Sequence, residues 1–173
     1  MDQMDGNASS ERLGAAPGDV WVARLLVTAQ MVLLGLIALL PARADWPVPG
    51  WLAIISVAAG VTGLAVMSLG ATALGRGLTA TPLPNRHAQL RTGGLYAHVR
   101  HPIYTGLLLL AASTVAASGS ALRLVPFVLL VMLLTVKSSW EETRLTRRFP
   151  GYTGYAARTP RFIPRSRRHG SAS

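Results

Sequence analysis

The sequence predicts an all-α integral membrane helical bundle of about four transmembrane helices, with a C-terminal helical hairpin and an interfacial amphipathic tail. Three observations carry that prediction. Half of the 173 residues are hydrophobic, and they are clustered rather than spread. Charge is nearly absent from four stretches: Trp21–Leu40 (only Arg24), Trp51–Leu74, Ile103–Ala117 and Ala121–Val136 (only Arg123). All 17 Lys and Arg except Arg43 and Arg123 lie before or near the start of the first stretch, between Gly75 and His101, or after Val136. A bilayer-crossing helix needs about 20 apolar residues. The first two stretches meet that length, and the last two meet it with their flanks, as Pro102–Ser118 and Ala121–Trp140.

Excess Lys and Arg marks the cytoplasmic side of a membrane protein. The basic excess, a formal net charge of +10, therefore predicts topology rather than nucleic-acid binding. Four spans with both termini in the cytoplasm fit it, most naturally in a bacterial inner membrane, with membrane lipids as the surrounding partners. Length predicts one domain, over residues 20–164. Residues 1–19 are polar, net acidic and expected to be disordered. The acidic start does not resemble the positive n-region of a secretory signal. Residues 165–173 read as a disordered basic tail. The chain has no Cys, so no disulfide or Cys-based metal site is expected. Oligomeric state is not legible.

In the second span Gly60, Gly63 and Gly70 accompany Ser56, Ala59 and Ala65. Ala59 and Gly63 have the small-xxx-small spacing that lets helix backbones approach. Pro82 and Pro84 end any helix in the loop that follows, and Gly93–Gly94 predicts a turn. Pro102 suits the first position of a helix. The third span then starts there with its free N–H groups at the membrane boundary, a place for an anion. Gly106 leaves room for something to lie against that helix. Ser118-Gly119-Ser120 allows only a tight hairpin. The fourth span contains Pro126, where a kink is expected.

Downstream of Asp45 the chain has only two acidic residues, Glu141 and Glu142. They are adjacent and follow the last apolar run. Lys137 and Glu141 are four apart and share a helix face, while Glu142 points about 100° away. The tight hairpin returns this end to the depth of His101–Tyr104. The predicted site thus offers a helix N-terminus to an anion and a carboxylate to a cation. Charge balance alone is the competing account of the two glutamates, but ionisable groups at membrane depth are costly and usually functional. His98 and His101 have H-x-x-H spacing without a third ligand nearby, so no metal is expected. His101 reads as a helix cap or a ligand contact. Arg100 reads equally as a lipid-facing anchor or an anion clamp. Trp140 fits the aromatic belt, and Tyr96 the site. The segment with Phe149, Tyr152, Tyr155 and Phe162 among arginines reads as interfacial and able to roof the site. No P-loop and no strand-associated dinucleotide fingerprint occurs.

The block "QLRTGGLYAHVRHPIYTG", followed by "EETRL" and "FPGYTGYAARTPRFIP", resembles the isoprenylcysteine carboxyl methyltransferase family and its bacterial relatives, and phospholipid N-methyltransferases are similar. The likeness spans about Thr81–Pro164. It implies that residues 20–164 form a membrane methyltransferase domain using S-adenosylmethionine. It implies cofactor contacts from Gln89, Leu90, Arg91, Tyr96, His101, Pro102, Ile103 and Tyr104, with Glu141 on the cofactor's ammonium. It puts Lys137 where the family has a substrate-facing Arg, and Lys137 and Arg100 become the catalytic candidates. Glu142 is left to balance arginines, so Glu142→Gln should matter less than Glu141→Gln. Leu95 and Ala97 depart from the commoner Pro and Arg of the family, and Lys137 lacks the two-point carboxylate recognition of Arg. The acceptor therefore stays open between a lipophilic, prenylcysteine-like carboxylate and a phospholipid amine, for which His98 or Tyr104 would have to serve as base. A membrane reductase using NADPH would carry Asn where Ile103 stands. A non-catalytic scaffold is the remaining reading.

Overall fold

The structure, a computed structural model, describes residues 17–75 and 89–164. The expectations for residues 1–16, for the tail 165–173 and for Pro82 and Pro84 lie outside the described residues. Within these residues five α-helices follow in order: α1 (Pro17–Leu39), α2 (Gly50–Leu74), α3 (Pro102–Ser118), α4 (Leu124–Arg148) and α5 (Tyr152–Arg158). One 3₁₀ turn, Gly94–Ala97, precedes α3, and another, Ala121–Arg123, leads into α4. Helix α1 begins at Pro17, three residues inside the segment expected to be disordered, and its Asp19 binds Arg144 of α4 at 2.5 Å.

Among the described residues, three helices are long and apolar enough to cross a membrane: Gly18–Leu39, Gly50–Leu74 and Ala121–Arg148. Helix α3 is apolar but has only 17 residues. At 1.5 Å per residue it reaches about 25 Å, short of the ~30 Å hydrocarbon core. Its lipid-facing neighbours carry large exposed apolar side chains, such as Leu25, Ile54, Val61 and Met132. A water-soluble fold would bury them; a bilayer solvates them. The chain is an integral membrane protein.

Helix α3 lies at the centre, between α2 and the α1–α4 pair. One face gives Leu107, Ala111 and Val115 to a core with Ile37 of α1 and Leu130 and Leu134 of α4. The other face meets α2, whose buried positions Ser56, Gly60, Gly63 and Gly70 follow a heptad-like spacing. Lipid supplies no hydrophobic drive between helices, so close backbone approach must hold this contact. A Cβ on Gly106 would stand 2.5 Å from the Gly63 carbonyl oxygen, and one on Gly63 2.7 Å from that of Gly106. The room left by Gly106 is thus filled by α2. Ala59 is only half-buried, and the small-residue seam runs through Gly60 and Gly63 instead.

At the end of the bundle away from the glutamates, Gly119 closes the α3–α4 hairpin at φ 61°. Asp45 accepts from Ala121 N at 2.7 Å, and Arg123 donates to the Leu40 carbonyl through Nε at 2.9 Å and also through Nη2. Pro126 sits in the first turn of α4, where its missing N–H has no intrahelical partner to lose. The helix continues to Arg148, so the kink expected at Pro126 is replaced by a helix start.

The α2–α3 crossing predicts unequal effects of one methyl group. Gly106→Ala should destabilise the detergent-solubilised protein by about 1–3 kcal/mol, the range for overpacking. Gly35→Ala, where a Cβ meets nothing within 4 Å, should be neutral or stabilising by up to about 1 kcal/mol. Thermal unfolding of both variants checks this.

Candidate functional site

The start of α3 and the end of α4 lie side by side because the hairpin is tight and the two helices are antiparallel. Lys137 and Glu141, one turn apart on α4, flank Tyr104 of α3. The Tyr104 hydroxyl donates to Glu141 Oε2 at 3.2 Å, and Lys137 Nζ lies 5.2 Å from the centre of the Tyr104 ring. His101 stacks on Tyr104 with ring centres 5.4 Å apart. Its Nδ1 is 3.7 Å from Glu141 and its Nε2 is 2.9 Å from Glu142. His101 occupies the N-cap position of α3, but its side chain makes no capping bond. It bridges the two glutamates instead, correcting its reading as a cap.

Glu142 is turned to a different set of partners. Arg161 donates to it through Nε at 3.0 Å and Nη2 at 2.7 Å, a two-point pair. Arg100 Nη2 stands 3.1 Å away. Arg100 also donates through Nη1 to the Ala156 carbonyl at 2.8 Å. The anion that Arg100 clamps is therefore the chain's own Glu142, which corrects its reading as a lipid-facing anchor; of its nitrogens only Nε is buried without a partner. Glu141, by contrast, has no guanidinium or ammonium within ion-pair distance among the described residues. Two adjacent carboxylates thus have different neighbours, and the 100° turn between them is the cause.

The C-terminal segment is a strap over this site. The Arg100 and His101 N–H groups donate to the Pro160 and Arg161 carbonyls at 2.9 and 3.2 Å. Thr105 Oγ1 donates to the Phe162 carbonyl at 2.8 Å. The backbone just before α3 is therefore already paired with the chain's own carbonyls, at Arg100 and His101 rather than within the first turn of the helix itself. The aromatic residues of α5 face inward, not toward headgroups: Tyr152 and Tyr155 are buried. Tyr155 donates to the Tyr96 carbonyl at 2.6 Å, and Tyr96 to the Gly70 carbonyl at 3.2 Å. Burial pushes the Tyr155 hydroxyl up to about 12, with Arg100 opposing and Glu142 assisting. Burial, then the Glu141 charge, raises Tyr96 further. These hydroxyls stay protonated and serve as donors.

The remaining candidates are placed as follows. Pro102 and Ile103 pack against Gly70 of α2, within 3.3 and 3.1 Å of where a Cβ would be. Gln89 and Arg91 are exposed, and Leu90 is half-buried beside Gly151. His98 is exposed. No group of three or more metal-ligating side chains occurs among the described residues. Arg144 lies over the Trp140 ring. Two residues carry more than the sequence indicated. Arg161, within the quoted tail, is the bidentate partner of Glu142. Gln30 of α1 accepts from Lys137 Nζ at 2.7 Å; its signal was an amide in the middle of a mostly apolar span.

A membrane-embedded helical fold with a carboxylate, a lysine and stacked aromatic rings at one membrane boundary defines the class of protein. Residues 51–151 match the phospholipid methyltransferase family, and the chain belongs to that family. It is also similar to the nickel-cobalt-cadmium resistance protein NccN of Alcaligenes xylosoxydans xylosoxydans, 30% identical over 135 residues that cover 75% of this chain and 59% of that protein. The chain thus spans somewhat over half the length of that relative.

Glu142→Ala should release the strap. Breaking a buried ion pair costs about 3–5 kcal/mol; with the Arg161 side chain 29% exposed, about 2–4 kcal/mol is expected. Limited trypsin digestion should then cut after Arg158 or Arg161 faster than in wild type, alongside a lower unfolding temperature.

Proposed function

We propose that the chain is an S-adenosylmethionine-dependent membrane methyltransferase that transfers a methyl group to a lipophilic acceptor, a prenylcysteine-like carboxylate in the first reading. The observation that carries this is the division of labour between the glutamates. Glu142 is neutralised by Arg100 and Arg161, while among the described residues Glu141 holds only the Tyr104 hydroxyl and a distant His101 nitrogen. A carboxylate left without an Arg or Lys partner at a membrane boundary suits a cationic ligand group. The family match supports methyl transfer as the chemistry.

The donor set fits this cofactor. Glu141 would accept from its ammonium. Arg91, which has no ion-pair partner among the described residues, would meet its carboxylate from the loop, beside Gln89 and Leu90. His101, Tyr104 and Tyr96 would form the wall, with Pro102 and Ile103 holding that wall on α2. Bound there, the cofactor supplies a methyl group on a sulfonium. Lys137 would face the acceptor oxygen and orient it. With a carboxylate acceptor no base is needed: the C–O bond forms as the C–S bond breaks, and sulfur keeps the electron pair as a neutral thioether. Alignment of the two partners can supply about 7–11 kcal/mol at best. The strap and its buried tyrosines would keep water out. Arg100 acts through Glu142, as a positioning residue.

The family's description favours one further reading, methylation of a phospholipid amine. That acceptor must lose a proton, and the Tyr104–Glu141 hydrogen bond offers the nearest route. In either case the positive-inside rule supports a cytoplasmic site, because Arg91, Arg100, Arg144, Arg158 and Arg161 share its end of the bundle. The bacterial source of the relative supports a bacterial inner membrane.

In nanodiscs, Glu141→Gln should weaken S-adenosylmethionine binding by about 10- to 150-fold, the worth of a charged hydrogen bond of roughly 1.5–3 kcal/mol. Unchanged binding would remove Glu141 from this role. Base-labile label in the product, released as methanol, would identify a carboxyl ester; base-stable label would identify an amine.

A further inference from the structure

On α1, half-buried Gln30 lies seven residues from Ala23 (0% exposed) on one side and from Ile37 (2% exposed) on the other. Gln30 is the one polar residue of the three, in a helix long enough to cross the membrane. Its Oε1 accepts from Lys137 Nζ at 2.7 Å. Lys137 is only 3% exposed, and no carboxylate stands within ion-pair distance of it among the described residues. An ammonium away from water is costly unless something compensates it. A carboxylate at position 30 would neutralise it; an amide oxygen fixes its direction and leaves the charge. Ammonium nitrogen carries three donors, and Gln30 takes one. The Gln30 NH₂ itself makes no hydrogen bond among the described residues. The pair therefore presents donors only: two N–H on Lys137 and two on the amide, beside Tyr104 and one helical turn from Glu141.

We propose that Gln30, on a helix outside residues 51–151 that match the family, is a positioning residue for Lys137, and that the two together select acceptors carrying an anionic oxygen headgroup, a carboxylate or a phosphate. This rests on the methyltransferase reading for the word acceptor, but the recognition is tested without turnover. Helix α1 then does more than complete the bundle: it sets which lipophilic molecule is held beside the methyl-transfer site. The competing structural role is an interhelical polar contact that fixes the register of α1.

The test measures binding of three probes of one hydrocarbon chain to the full-length protein in nanodiscs: farnesylthioacetate (carboxylate), farnesyl phosphate and farnesol. Wild type should bind at least one of the two anions tenfold or more tighter than farnesol, and which anion leads distinguishes a carboxylate from a phosphate acceptor. Gln30→Met keeps the side-chain volume and removes the acceptor; it should bring that preference close to one. Lys137→Met should do the same, and the double variant should be no worse than either single, the non-additivity of a coupled pair. Gln30→Asn should recover part of the preference. Affinity for S-adenosylmethionine and the unfolding temperature of Gln30→Met should stay within twofold and a few degrees of wild type. Equal binding of anions and farnesol by wild type would overturn the proposal. So would a Gln30→Met variant that keeps the preference, or one that loses it only together with stability. Loss of S-adenosylmethionine binding in wild type would instead sink the methyltransferase reading while leaving the anion preference to be judged separately.

Discussion

The structure depends on where one carboxylate is fastened. Glu142 receives His101 from the start of α3, Arg100 from the residue before it, and Arg161 from the C-terminal strap. Those contacts tie the far end of α4 to the beginning of α3 and bring the strap across both. In a lipid environment the apolar faces of helices gain little by meeting one another. A multiply bonded charge cluster at the boundary is therefore a strong way to set which helix ends coincide. Once Glu142 is held, the helical rotation between adjacent residues aims Glu141 elsewhere, toward Tyr104.

The α2–α3 crossing is the second constraint. Gly63 and Gly106 let the two backbones touch, and this brings the Gly70 end of α2 against Pro102, Ile103 and Tyr96. The wall of the site is thereby anchored on a helix that contributes no charged group to it. Short α3 then matters. With 17 residues, it stops below the end of α4, so the last turns of α4 stand beside the loop and strap rather than beside lipid. Polar chemistry is thus placed at the boundary, where a lipophilic molecule and a water-soluble one can both arrive.

Much of this was legible in the sequence because membrane helices announce themselves by length and by the exclusion of charge. The tight Ser118-Gly119-Ser120 hairpin made the pairing of His101–Tyr104 with Lys137–Glu141 a matter of geometry. The scarcity of acid made Glu141 and Glu142 conspicuous, and their angular separation foretold two sets of partners. Other features were hidden. That Arg100 would turn to Glu142 and Ala156, rather than to a lipid or ligand, depends on the fold-back of a segment 60 residues later in the chain, at Pro160 and Arg161. The inward rotation of Tyr152 and Tyr155 follows from the same contact, since composition alone reads aromatic plus basic as interfacial. Pro126 was misjudged because a helix start displaced by three residues turns a breaker into an ordinary first-turn residue. Gln30 escaped notice because apolar residues surround α1 on every side, so the sequence does not show which face meets Lys137.

The central claim is that Glu141 is reserved for the ammonium of the proposed methyl donor. The most direct measurement compares the affinity of the protein in nanodiscs for S-adenosylmethionine with its affinity for the analogue lacking the α-amino group. A preference of about tenfold or more for the intact cofactor, the least that a charged hydrogen bond contributes, is predicted for wild type. Equal affinity for the two would contradict the account.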